Sequence, residues 1–229
     1  MRRMLPVILV ILLACAGQKD HPISVEVEPA MEEGTITKIA VFPFLSALHD
    51  SDDPDDVAPM MMDQYFTPAL DARDDYTFIS SGTVRFAIEG NEVLEPLHAK
   101  FLEEYPRTGK INPEFLSGLA AALNADSFLI PVVDVWQKDE VDYQENATPT
   151  TYVGATVTVV SAAGGKILFR ATDEDYIEGA RSETSDRGIV SSAGVVRSDS
   201  GSKAFRAPPY DEVAIKVITA LVGSLPDRY

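Results

Sequence analysis

A short apolar run near the amino terminus constrains most strongly which part of this chain can enter a folded domain. Arg2 and Arg3 precede the run, and the nine positions from Leu5 to Leu13 are apolar, interrupted only by Pro6. A helix that spans a membrane needs roughly 20 such residues. The run is therefore too short for a span and predicts a cleaved export signal. The folded domain has to be built from the residues that follow.

The tetrapeptide Leu12-Leu13-Ala14-Cys15 closes the apolar run. These residues resemble the signal of bacterial lipoproteins, in which a small residue precedes a cysteine that receives a diacylglycerol, becomes the new amino terminus and is then acylated. Cys15 is the one cysteine of the chain, so it cannot form an internal disulfide or a cysteine-only metal site. The alternative is an incidental thiol in an ordinary cleaved signal peptide. We predict that Cys15 is the lipid-attachment residue.

Lipid on Cys15 would fix the location of the mature chain. One acyl chain alone binds a membrane marginally, whereas several chains anchor stably because each buried methylene adds about 0.8 kcal/mol. Residue 16 is alanine, which by this resemblance implies sorting to the outer membrane. An aspartate at this position would imply retention in the inner membrane. We expect a protein that is lipid-anchored in the outer membrane and faces the periplasm.

The charge of the chain excludes some classes of partner. The formal net charge is -17 over 229 residues, and loss of Arg2 and Arg3 with the signal would make the remainder more acidic. Such a balance argues against nucleic-acid binding and against a polybasic membrane-binding surface. No later apolar run approaches the length of a membrane span. Contact with the membrane is therefore expected through the amino-terminal lipid, and no nucleic-acid partner is expected.

Composition divides the chain into three parts. We predict a lipoprotein signal peptide over 1–14, a flexible tether over 15–35 and an α/β periplasmic domain over 36–225. The tether is predicted because residues 16–35 are polar and acidic, include Pro22, Pro29 and Gly34, and hold no sustained period. The rest is long enough for one domain with a real core.

Hydrophobic periodicity predicts the order of the elements in the domain. Strands are predicted over 35–44, 76–80, 125–136, 152–161 and 166–171, with a hairpin turn at Gly164-Gly165 between the last two. Helices are predicted from Pro59 onward, over 92–105, over 112–123 with Asn112 as cap and Pro113 in the first helical position, and after Pro209. The residues expected to share one apolar face are Val153, Ala155, Val157 and Val159 in the fourth strand, Phe66 and Leu70 in the first helix, Leu102 in the second, and Val213, Ala214, Val217, Ile218, Leu221 and Val222 in the last. We expect Pro68 to kink or end the first helix and Pro131 to mark a bulge or a sheet edge. The order predicts an α/β fold with a single mixed β-sheet, part parallel and part antiparallel meander, and helices packed on it.

Four stretches in this order suggest a family. They are Lys38 to Phe44, Leu123 to Ile130, Gly165 to Phe169, and the closing helix that begins at Pro208. Together they resemble the envelope lipoprotein superfamily that includes the curli secretion protein CsgG, the penicillin-binding-protein activator LpoB and the amino-terminal domain of TolB. The resemblance implies a non-enzymatic periplasmic adaptor that binds or positions other envelope proteins and regulates cell-wall synthesis or envelope assembly.

The resemblance also leaves a second function open. CsgG-like members assemble into rings and thread long hairpins through the outer membrane, so a homo-oligomeric secretion channel is the alternative. The candidate hairpin regions here are 137–151 and 176–207. A barrel hairpin needs two strands of about ten residues that alternate apolar and polar. The first region is too short and acidic and the second lacks sustained alternation, so the sequence favours the adaptor.

A hydrolytic enzyme with no recognisable motif is the third alternative. His21, His49 and His98 lack metal-ligand spacing, and no Gly-x-Ser-x-Gly elbow or phosphate loop occurs. Asp134 on an apolar strand is either a site acid or a strand-edge carboxylate with a hydrogen-bond partner. The acids at 173–175 fit a solvated strand end. We predict no catalytic residue and no cofactor.

The expected contact surfaces are the loops at 49–58 and 176–207, because long loops on a rigid scaffold commonly carry recognition. The first loop is densely acidic, but it lacks the glycine and the closing glutamate of a calcium-binding EF-hand loop. We expect it to be a solvated loop. The sequence thus predicts a lipid-anchored protein whose partners are other envelope proteins.

Overall fold

The computed structural model of the chain describes residues 23–32, 36–141, 148–179 and 206–228. Its centre is a mixed seven-stranded sheet with the strand order β1-β7-β6-β5-β2-β4, in which β3 also pairs with β5. The strands are β1 Ser24–Val27, β2 Lys38–Val41, β3 Leu45–Ser46, β4 Thr77–Ile79, β5 Ser127–Asp139, β6 Thr150–Ser161 and β7 Ile167–Glu178. The predicted α/β class with a single mixed sheet is confirmed.

The sheet has a parallel half and an antiparallel half. β2 pairs in parallel with β4 on one side and with β5 on the other. β5, β6, β7 and β1 follow as antiparallel neighbours. The predicted turn at Gly164 and Gly165 joins β6 to β7, and both glycines have positive φ, at 94° and 68°, a conformation that glycine adopts without a steric penalty.

Six helices pack on this sheet. They are α1 Pro29–Glu32, α2 Val57–Asp71, α3 Ser81–Ile88, α4 Leu94–Thr108, α5 Pro113–Leu123 and α6 Tyr210–Gly223. One buried cluster joins α2 and α6 to one face of the sheet, and a second joins α3, α4 and α5 to the other. No helix in these described ranges is both long and apolar enough to cross a membrane.

Local sequence explains several helix ends. The Asn112 side chain accepts a hydrogen bond from the Glu114 amide at 2.9 Å, and Pro113 occupies the first turn of α5, as predicted. Asn124 ends the same helix in the left-handed conformation, with φ of 50°. Asp126 follows, and its carboxylate accepts from the Thr37 and Lys38 amides at 3.0 and 2.9 Å. This clamp aligns the start of β2 with β5.

The predicted tether contains ordered structure. Residues 23–32 lie within the predicted range of 15–35, yet they form β1 and α1, and β1 pairs with β7 in antiparallel register. The Glu28 amide donates to the Leu168 carbonyl at 2.8 Å, and Met31 is buried. The folded domain therefore begins earlier than predicted. A four-residue strand is too short to show a period, so only pairing with β7 reveals it.

The two proline predictions have different outcomes. Pro68 lies inside α2, which ends within one turn after it, at Asp71, and Phe66 and Leu70 are buried on either side of it. Pro131 marks neither a bulge nor an outer edge of the sheet. β2 pairs with residues 127–129 of β5, and β3 pairs with residues 132–133. Pro131 lies in the gap between these two pairings. The register shift occurs between Val133 and Val135 instead.

The helical region between β4 and β5 also differs from the prediction. No helix was predicted over 81–88, but α3 forms there, with Ser80 as its cap and Val84 and Ile88 buried. α4 begins at Leu94 and runs beyond the predicted end at residue 105. Leu102 was predicted to face the core and is 41% exposed.

Candidate functional site

A cleft lies between α2 and the edge strand β4. Its lining residues are Val41 of β2, Asp63, Phe66, Thr67, Leu70 and Asp71 of α2, Phe78 of β4, and Ser80 and Ser81 at the start of α3, around about 390 Å³ that includes open solvent. The buried side chains of Val41, Phe66 and Leu70 give it an apolar floor. The rim is polar and carries two carboxylates.

Asp63 is the most constrained polar group of the cleft. Its Oδ1 accepts a hydrogen bond from the Phe44 amide at 3.0 Å, which ties α2 to the backbone between β2 and β3. Burial raises the pKa of the Asp63 carboxyl, and the bond from Phe44 opposes this rise. A partly buried carboxylate with a raised pKa is incompletely solvated, so an approaching cation or N–H donor stabilises it.

Ser80 at the mouth of the cleft is a structural cap. Ser80 Oγ accepts from the Thr83 amide at 3.3 Å and lies 3.0 Å from Thr83 Oγ1. This arrangement is an N-cap, which satisfies an amide of the first turn of α3. The cleft residues include no histidine, lysine or cysteine beside these hydroxyls. Acidic groups above an apolar floor suit binding of a ligand that is both basic and apolar.

The predicted lipid-attachment residue, Cys15, lies outside the described residues, and so do His21 and residues 180–205 of the predicted contact loop. The acidic loop at 49–58 is described, and its central acid has a structural role. Asp53 accepts from the amides of Val57 and Ala58 at 3.0 and 2.7 Å and so caps α2. In the part of the chain that the structure describes, no group of three or more His, Cys, Asp or Glu residues could hold a metal ion.

Asp134 has the hydrogen-bond partner that the sequence allowed. Thr156 Oγ1 donates to Asp134 Oδ2 at 2.8 Å, and Thr172 Oγ1 lies 3.0 Å from Thr156 Oγ1. Desolvation by burial raises the pKa of Asp134, the Thr156 bond lowers it, and the charge of Glu174 raises it. Asp134 sits at the register shift of β5 and away from the cleft.

The acids at 173–175 are not a solvated strand end, because β7 continues to Glu178. Asp173 is buried, with 8% of its surface exposed. Asp175 accepts from the Tyr176 amide at 2.7 Å and lies 3.9 Å from Lys216 of α6. Strand alternation directs Asp173 and Asp175 toward α6 and Glu174 to the opposite face.

His98 is a half-buried residue beside the aromatic cluster on the side of the sheet that α4 and α5 cover. Its ring centroid lies 6.4, 6.5 and 5.8 Å from those of Phe42, Phe101 and Phe115. Burial lowers the pKa of His98, because the apolar rings disfavour the charged imidazolium. His49, the other described histidine, contacts Ser51 Oγ at 2.9 Å in the acidic loop.

Sequence reasoning did not identify the cleft. Its floor residues were predicted as core, and Asp63 was passed over between Met62 and Phe66 of the apolar helix face. Two features of the sequence point to the cleft. One is the Asp63 carboxylate beside the apolar face of α2, and the other is the Ser80-Ser81 pair that directly follows a strand. The sequence alone does not show that these segments meet.

Comparisons with known proteins concern the fold. No family model matches the chain, and no curated protein matches it. A PelC dodecamer structure from Paraburkholderia phytofirmans is 15% identical, with a TM-score of 0.45, over 91% of this chain and 99% of that chain. Lipoprotein GNA1162 from Neisseria meningitidis is 18% identical, with a TM-score of 0.41, over 65% and 88% of the two chains. The LpoB C-terminal domain from Escherichia coli is 11% identical, with a TM-score of 0.31, over 64% and 93%. The solved structures similar to this chain include one that is described as a bacterial lipoprotein.

Proposed function

We propose that this chain is a lipoprotein, anchored in the outer membrane through Cys15, whose α/β domain binds other envelope proteins as a non-enzymatic adaptor. The observation that carries the proposal is the Leu-Leu-Ala-Cys box, which precedes the first strand of the folded domain by only nine positions, from Cys15 to Ser24. A cleft with an apolar floor and an acidic rim gives the domain a surface suited to a partner.

The short connection bounds where the domain sits. An extended chain spans at most about 3.3–3.6 Å per residue, so β1 starts within about 30 Å of the lipid-bearing residue. β1 is one edge of the sheet and β4 is the other. Five strand spacings of about 4.8 Å separate these edges by about 24 Å. The connection therefore enters the sheet at the β1 edge, which lies opposite the β4 edge and its cleft.

Lipid attachment is tested by labelling cells of a Gram-negative host with an alkyne fatty acid and comparing the wild-type chain with Cys15→Ala. We expect label on the wild-type chain alone, with the variant released from the membrane fraction. Label on both chains, or on neither, would contradict the assignment of Cys15.

The adaptor role is tested by cross-linking cells, purifying the lipidated protein and measuring its mass in detergent. A monomer or dimer recovered with a stoichiometric envelope protein would support the adaptor. A large homogeneous ring without such a partner would instead support the secretion-channel alternative and refute the proposal.

A further inference from the structure

The outer side of β4 is unpaired in the part of the chain that the structure describes. β4 ends the strand order and pairs with β2 alone. The Thr77 amide donates to the Thr37 carbonyl at 2.9 Å. Successive residues of a strand direct their backbone groups to opposite sides, so the Phe78 amide and carbonyl point away from the sheet. An unpaired strand edge can pair with another extended chain, and because β4 has three residues, this pairing is limited to the backbone groups of Phe78.

The cleft runs beside this edge. Phe78 links the two features, because its side chain lines the cleft while its backbone faces outward. Strand addition gives affinity through backbone hydrogen bonds, and pockets for alternate side chains give specificity. An added strand would place every second side chain over the cleft, beside the apolar side chains of Phe66, Leu70 and Phe78.

The spacing of the two rim carboxylates along α2 matches residues four positions apart on one face of a strand. Asp63 and Asp71 both lie on α2, eight residues apart, which at 1.5 Å per residue is about 12 Å along the helix. Four residues of an extended chain span about 13 Å. Two basic residues four positions apart would therefore each meet one carboxylate, and the residue midway between them would face the apolar floor.

We infer that the β4 edge and the adjoining cleft dock an extended segment of a partner protein with the pattern basic-x-apolar-x-basic. The backbone of the segment pairs with Phe78, its apolar side chain covers the floor, and its two cations meet Asp63 and Asp71. The inference rests on the proposed adaptor function and names the surface and the partner chemistry for it. Charge complementarity selects this occupant, because both charged residues of the cleft are acids.

The test uses a seven-residue synthetic peptide with lysine, valine and lysine at positions two, four and six and threonine elsewhere. We expect the peptide to bind the full chain, and we expect the largest shifts of backbone amide signals in NMR spectra at Phe78 and Ser80. A peptide with glutamate in place of both lysines should not bind. Two further peptides are methylated on their backbone nitrogens, one at the odd residues and the other at the even residues. Only one of these two sets of amides faces β4, so only one of the two peptides should lose binding. Equal binding of the acidic peptide, or of both methylated peptides, would overturn the inference.

Variants locate the site. Asp63→Asn keeps an acceptor for the Phe44 amide, so the pair Asp63→Asn and Asp71→Asn should fold and bind the peptide about tenfold more weakly. The control pair Asp50→Asn and Asp55→Asn removes the same charge from exposed positions outside the cleft and away from the β4 edge, and it should bind as the wild type does. Equal loss in both pairs, or none in the cleft pair, would refute the site.

Two further outcomes separate this inference from the adaptor proposal. If the cleft pair still captures the wild-type cross-linked partner at full yield in cells, this site is wrong and the adaptor stands. If the wild-type chain captures no partner although the peptide binds, the adaptor proposal is wrong and the site stands. A free protein that sediments as a dimer, and becomes a monomer in the cleft pair, would identify a second copy as the occupant and overturn the inference.

Discussion

Arg73 connects the end of α2 to the end of α6, and its removal should destabilise the domain strongly. The guanidinium donates to both carboxylate oxygens of Asp75, at 2.9 and 2.6 Å. It also donates to the carbonyls of Val222, Leu225 and Pro226 at 3.0, 2.9 and 3.1 Å. Those carbonyls belong to the last turn of α6 and the residues after it, where donors within the helix run out. Val222 also accepts from the Leu225 amide at 3.3 Å, and Pro226 accepts from the Tyr76 hydroxyl at 2.8 Å.

The expected magnitude follows from burial. The side chains of Arg73 and Asp75 are 13% and 14% exposed. Breaking a buried ion pair by removing one partner costs about 3–5 kcal/mol, whereas exposed pairs contribute about 0–1 kcal/mol. For Arg73→Met, which keeps the aliphatic packing, we expect a loss of about 3 kcal/mol in the free energy of unfolding. Methionine removes both guanidinium bonds to Asp75 and one hydrogen bond from each of the three carbonyls.

Urea unfolding measured through tryptophan fluorescence tests this expectation. Trp136 is the one tryptophan of the chain, and its ring stacks on Tyr210 of α6 at 4.0 Å, so its emission reports detachment of that helix. The matched control is Arg85→Met, because Arg85 pairs with Glu89 at 3.7 Å while their side chains are 73% and 64% exposed. The control should change stability by less than about 0.5 kcal/mol. Similar losses in the two variants, or less than about 1 kcal/mol for Arg73→Met, would refute the argument.

The contact between Arg73 and Asp75 should also make the stability of the domain depend on pH in the acid range. The hydrogen bond from Arg73 is the largest cause that lowers the pKa of Asp75. Because the folded-state pKa lies below the unfolded one, the stabilisation is present above the ordinary aspartate pKa and is lost as pH falls through the folded-state value. Arg73→Met should flatten this loss in unfolding measured against pH, and an unchanged loss at acid pH would contradict the pairing.

Three other changes have defined outcomes. A Cβ on Gly154 would lie 2.9 Å from the Val135 side chain, so Gly154→Ala should cost about 1–3 kcal/mol in urea unfolding. Gly82→Ala, where the nearest atom is 3.9 Å away, should be neutral, and equal costs would contradict the steric argument. Burial lowers the pKa of His98 in the folded state. The unfolded chain therefore binds more protons than the folded chain as pH drops below the ordinary histidine pKa. The free energy of unfolding should fall over this range, down to the folded-state pKa. His98→Phe should reduce that fall between pH 7.5 and 5, and an identical pH profile would refute this role. Asp53→Ala should lower stability by about 1 kcal/mol through loss of the α2 cap, and an unchanged midpoint in urea would contradict it.

Elements with a local signal were predicted well. α5 has its asparagine cap and proline at Asn112 and Pro113, and α6 buries the six apolar residues that its period indicates. The alternation of β6 places Val153, Ala155, Val157 and Val159 in one buried cluster, as predicted. These signals are local because a cap or a stripe is set by residues within two turns, or within one strand, of each other.

The candidate site depended on contacts between distant segments. Asp63 reads as part of a helix, and Phe78 as part of a short strand, until the fold places α2 beside the sheet edge. Likewise, Asp173 sits in a run of three acids that suggests solvent, but the extension of β7 beneath α6 buries it. Burial of a side chain is decided by what packs against it, and that neighbour can lie anywhere in the chain.

By itself, the sequence determined the lipoprotein-like signal, the α/β class, the hairpin at Gly164-Gly165 and the inward faces of the main helices. Only the tertiary structure decided that residues 24–27 form a sheet edge, that Asp53 caps a helix, and that a cleft opens beside β4. The reason is physical. Periodicity and capping are properties of adjacent residues, whereas strand pairing and clefts arise when segments such as β1 and β7, more than 140 positions apart, meet in the folded chain.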